Sequence, residues 1–92
     1  MNDIQSTLAE RGKRYGEFPG HAHITMDLKR VMADAIIKRK VSLADDQTEA
    51  LHMIAHKIGR ILNGDPNYVD SWVDIAGYAQ LVANRLNAKG DD

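Results

Sequence analysis

The sequence predicts an all-α fold, a small four-helix domain organised on an antiparallel hairpin of its last two helices. Three observations carry this. Apolar residues recur at spacings of three and four along three long segments, no segment alternates with period two, and the link Asn63-Gly64-Asp65-Pro66-Asn67 is only a few residues long. A link that short makes the helices on either side antiparallel neighbours. Ninety-two residues make one domain with a small core, so a deep cleft calls for subunits to share it and a homo-oligomer is expected.

The first helix is placed at about residues 2–11, where Ile4 and Leu8 lie one turn apart, and it stops at Gly12. Residues 12–20 hold three glycines and Pro19 and read as a loop anchored by Tyr15 and Phe18. The second helix, about residues 22–39, carries Ile24, Leu28, Val31 and Ala35 on one stripe that Met32 and Ile36 widen. Lys38, Arg39 and Lys40 suit the negative end of its dipole.

The third helix, about residues 45–63, starts at a Ser42 or Asp45 cap and stops at Gly64 and Pro66. Leu51, Ile54, Ala55, Ile58, Ile61 and Leu62 form its apolar face. The fourth, about residues 69–88, has Trp72, Ile75, Ala76, Ala79, Val82, Ala83 and Leu86 as its expected core stripe, followed by a frayed Gly90-Asp91-Asp92 tail. Gly77 in its middle costs about 1 kcal/mol against alanine, which predicts a close helix packing or a ligand there.

Composition excludes several classes. A net charge of −1 provides no global field for a nucleic-acid backbone, so nucleic acid is not the expected partner, although Arg11, Lys13 and Arg14 form one basic cluster and residues 38–40 another. The absence of cysteine removes disulfides, thiolate nucleophiles and cysteine-based zinc sites. No apolar run spans a bilayer and the N-terminus has no secretory pattern, so neither a membrane nor export is expected and the cytoplasm is.

On the polar side of the hairpin, Glu49, His52, His56 and Arg60 fall along helix three, and Asp70, Asp74, Tyr78 and Arg85 along helix four. Met53 and Leu81 among them suggest that this second face is partly covered. Asp70 and Asp74, one turn apart, can aim two carboxylates at one cation, or can simply complement a helix dipole. His52 and His56 have the spacing of a transition-metal pair but lack the Glu of a His-Glu-x-x-His motif, Met53 standing in its place. Lys57 and Arg60 can pair with the aspartates or receive a phosphate.

The strings Glu10-Arg11-Gly12-Lys13-Arg14-Tyr15-Gly16, residues 50–66 ending in Leu62-Asn63-Gly64-Asp65-Pro66, and Asp70-Ser71-Trp72-Val73-Asp74-Ile75-Ala76-Gly77-Tyr78 resemble a family of small uncharacterised phage and prophage proteins over about residues 8–84. A more distant similarity is to the MazG-like all-α nucleoside triphosphate pyrophosphohydrolases, whose Glu-x-x-Asp helix motif holds magnesium on a nucleotide's phosphates. Asp74 occupies that motif's Asp, but Ser71 stands where its Glu should be, and helix three offers Glu49, His52 and His56 instead of three carboxylates.

Two functions are therefore expected. The first is a phage-type accessory module binding a phosphorylated small molecule or a host protein, with His56, Lys57, Arg60 and Tyr78 as ligand-binding residues. The alternative is a magnesium-dependent pyrophosphohydrolase in which Asp70, Asp74 and Glu49 hold the Mg ion. Both require residues 56, 57, 60, 70, 74 and 78 to share one partly enclosed space.

Overall fold

The computed structural model describes residues 3–90, with side chains through Ala88, and it consists of four helices: α1 (Asp3–Tyr15), α2 (Phe18–Arg39), α3 (Asp45–Asn63) and α4 (Val69–Gly90). The expected helix start at Asn2 and the Asp91-Asp92 tail lie outside the described residues. Among the described residues there is no strand. α3 is the spine: α2 packs on one side of it and α4 on the other, α2 and α4 make no close approach to each other, and α1 rests across one end. The molecule is accordingly long, 55 × 29 × 24 Å.

The expected long loop at residues 12–20 is two helices joined by Gly16 and Glu17 alone. Gly12 is absorbed in α1 because a single glycine costs a helix only about 1 kcal/mol. Pro19 sits in the first turn of α2, where its missing N–H has no intrahelical partner to lose. Phe18, expected as an anchor, is 75 % exposed. At the other end of α2, Lys40 takes a left-handed conformation (φ 55°) as the C-cap, and the Val41 N–H donates to the Ile36 carbonyl. α3 begins after Ala44, whose N–H donates to the Gln47 side chain at 2.8 Å, so neither Ser42 nor Asp45 is the cap.

The hairpin of α3 and α4 is as expected, and two ion pairs fix its antiparallel register: Asp46 with Arg85, bidentate at 2.6 and 2.8 Å, and Lys57 with Asp74 at 2.9 Å. The face that α4 turns inward is the expected one only in part: Ile75, Val82 and Ala83 of the expected stripe are half-buried, and the packed face is rotated toward polar residues. Ser71 is buried and Asp74, Ile75, Tyr78, Val82 and Arg85 are half-buried, whereas Trp72, Ala76, Ala79 and Leu86 are exposed. The reason is partner chemistry. Asp74 and Arg85 on α4 find their opposite charges on α3, and small Ser71 lets the helices close, so a mixed face with Ile75 and Val82 packs while Trp72, Ala76, Ala79 and Leu86 are left outside.

The core is correspondingly thin. Its buried apolar residues among those described are Ala50, Ala55 and Ile61, and no large side chain is fully buried. Gly77 faces open space, with no atom within 4 Å of where a side chain would start, so the packing expected there is absent. Gly77→Ala is therefore expected to stabilise the protein by about 0.5–1 kcal/mol through helix propensity alone, measured by chemical denaturation.

Candidate functional site

Two of the sequence's distinctive strings meet in space. The turn after α1 and the turn after α3 dock through backbone: Asp65 N–H donates to the Arg14 carbonyl at 2.6 Å, and Asn63 Nδ2 donates to the carbonyls of both Tyr15 and Glu17 at 2.8 Å. Gly16 adopts φ +76°, a conformation natural to glycine, and any side chain at Gly16 or Gly64 would strike the opposing turn's backbone. A ladder of rings and cations closes the same junction. Arg60 stacks on Tyr15 with its guanidinium 4.0 Å from the ring centroid, Tyr15 meets Tyr68 edge-on at 6.0 Å, and Arg14 covers Tyr68 at 5.1 Å while pairing with Glu10.

This junction walls a cavity of about 740 Å³ between α1, the start of α2 and the end of α3. That volume is in the range of small-molecule sites. Leu8, Gly12, Tyr15, Phe18 and Pro19 supply apolar wall, and Arg11, Lys13 and Arg60 supply cations. None of the three cations pairs with a carboxylate among the described residues. Among the described residues Glu17 is the one acidic residue of the lining.

At the cavity floor His21 of α2 meets His56 of α3, Nε2 to Nδ1 at 3.2 Å with the rings nearly perpendicular. Thr25 Oγ1 lies 3.4 Å from the same His21 nitrogen. His21 is buried, and its Nδ1 faces the Gly59 backbone without a hydrogen bond of normal geometry. Gly59 is what allows α2 so close, since a side chain there would start 2.5 Å from Thr25 Oγ1 and 3.0 Å from the His21 ring. Burial and then the Arg60 charge lower the pKa of both imidazoles, that of His56 to about 4. Both rings are thus neutral at pH 7, and the cavity's positive charge belongs to its arginines and lysine.

The residues expected to share one space divide between two sides of α3. His56 and Arg60 line the cavity. Lys57 points the other way, its side chain 11 % exposed and held by Asp74, and is not part of the cavity. Tyr78 is half-buried on α4 and also outside it. Asp70 is exposed and accepts from the Tyr68 hydroxyl at 3.0 Å, and Glu49 is exposed near the start of α3. Asp70, Asp74 and Glu49 form no three-residue cluster fit for a metal ion, nor does any other His, Asp or Glu set among the described residues. His56 pairs with His21, 35 residues away, and not with His52. Of the basic residues at 38–40, Lys38 is occupied by Asp34 at 3.2 Å.

The cavity residues that sequence reading did not assemble are Arg11, Lys13, Tyr15, Phe18 and His21. The signal available for them was the Gly12-Lys13-Arg14-Tyr15-Gly16 string, whose role depends on a partner turn about 50 residues later. No helix among the described residues is long and apolar enough to cross a membrane. No curated protein and no solved structure matches the chain. A family profile described as a domain of unknown function, DUF6378, matches residues 2–86, nearly the whole length, and the chain belongs to that family.

Proposed function

We propose that this chain is a non-catalytic binding module for a phosphorylated small molecule of the nucleotide class, taken into the cavity between α1, α2 and α3. One observation supports this above the others. Arg11, Lys13 and Arg60 line an aromatic-walled cavity without carboxylate partners among the described residues, so their N–H groups are available to phosphate oxygens. Stacking on Tyr15 holds the Arg60 guanidinium in place and leaves its N–H edge for phosphate oxygens. Phe18 at the rim offers a face to a base, and the neutral imidazoles of His21 and His56 add no competing charge.

Binding is preferred over magnesium-dependent pyrophosphate hydrolysis because Lys57 occupies Asp74 and Ser71 is packed in the hairpin interior, where a metal-holding glutamate has no room. The resemblance to phage and prophage proteins fits a module working in a host cytoplasm on a host nucleotide. Calorimetry should find nucleoside di- and triphosphates or cyclic dinucleotides binding while their parent nucleosides do not. Arg60→Ala is expected to weaken the best ligand about 10- to 30-fold, the worth of one charge-assisted phosphate contact. A full nucleotide panel without heat, or equal binding of nucleosides, would remove the reading.

A further inference from the structure

The apolar face that α4 leaves outside has a regular pattern. Val69, Trp72, Ala76, Ala79, Ala83 and Leu86 follow one another at steps of three, four, three, four and three residues, the seam of a coiled coil. In the chain alone Val69 is 63 %, Trp72 54 % and Leu86 44 % exposed, Ala76 and Ala79 are exposed as well, and Ala83 is half-buried at the seam's edge. The flanking positions 73, 75, 80, 82 and 87 carry no charge. Trp72 has already satisfied its indole N–H on the Pro66 carbonyl at 2.8 Å, so it offers the seam only its ring.

We propose that this seam is a dimer interface with a second copy of the chain, α4 against α4 in antiparallel sense about a two-fold axis at Ala79. The molecule's own surface indicates a second copy. Its 6818 Å² exceeds by about 1,500 Å² the area of a compact monomer of this mass, more than the roughly 800 Å² per partner that a stable interface removes. A core without a fully buried large side chain is weak support for a free-standing domain of this size. A two-fold axis brings each surface against itself, so an uncharged seam pairs without repulsion. The order of side-chain sizes sets the sense. With Ala79 at the axis, Trp72 lies over the partner subunit's Leu86, and the alanines between them let the two backbones approach closely.

Sedimentation of the full chain is expected to give twice the 10.2 kDa protomer mass. Ala79→Glu and Ala79→Lys each put like charges at the axis and are expected to raise the dissociation constant about 100-fold. Mixed in equal amounts, the two variants should recover the dimer, because residue 79 meets only its own counterpart. That recovery distinguishes the interface from simple unfolding, since both residues are good helix formers at an exposed site. A wild-type chain that sediments at the protomer mass overturns the proposal. So does an Ala79→Glu chain that dimerises as tightly as wild type, or a mixture that stays monomeric.

Discussion

Replacing Gly64 by alanine is expected to destabilise the protein by about 3 kcal/mol or more, a fall in thermal midpoint of roughly 12 °C or more for a domain of this size. The new methyl group would fall on the Arg14 carbonyl and the Tyr15 backbone. These are main-chain atoms of another turn, which cannot rotate aside as a side chain would. Moving the turns apart also breaks the Asp65–Arg14 bond and the two Asn63 bonds, each worth about 1 kcal/mol. α1 has little else to hold it, since the described side chains of Asp3 to Lys13 are exposed and only Arg14 and Tyr15 at its end are half-buried. Thermal melting followed by circular dichroism checks the effect; a midpoint within a few degrees of wild type would mean that the two turns do not dock.

That junction also shows what a single sequence can and cannot reveal. The four helices were legible because Gly64-Asp65-Pro66 and the three-and-four spacing are local signals, read within one or two turns of chain. The α1–α2 boundary was misplaced because Gly12, Gly16, Pro19 and Gly20 look alike as loop signals, while only Gly16 has the positive φ that ends a helix. The packed face of α4 was legible only in part, at Ile75, Val82 and Ala83, for a different reason. Amphipathicity states which side is apolar, and burial here follows Lys57–Asp74 and Asp46–Arg85, contacts between residues 17 and 39 positions apart. The cavity depends most on distance in the chain, since His21 with His56 and Arg60 with Tyr15 bring together residues 35 and 45 positions apart. His56, Arg60 and Tyr15 stand out singly in the sequence, but nothing local to any of them names its partner.

The His21–His56 contact makes stability depend on pH in a calculable direction. Desolvation, followed by the charges of Arg60, His21, Lys57 and Lys29, lowers the His56 pKa from 6.5 to about 4. The folded protein therefore resists a proton that the unfolded chain accepts near pH 6.5. Above that pH both states hold a neutral ring and folding is unaffected. As pH falls from 6.5 the unfolded state gains the proton first, stability declines, and the loss levels off below about 4 where both states are protonated. With allowance for solvent screening of a half-buried ring, the total comes to about 2 kcal/mol. His21, lowered for the same leading reason, adds in the same direction. Denaturant midpoints measured from pH 7 to pH 4 should fall along this course in the wild type, and His56→Gln, which keeps a hydrogen-bonding group but cannot titrate, should flatten most of it. A variant that tracks the wild-type curve would assign the acid loss to carboxylates instead, among which Asp46 and Asp27 have pKa values lowered by their arginine partners. An anion seated on Arg60 would offset one of the charges that repel the proton from His56, so a saturating phosphorylated ligand should also shrink the acid loss.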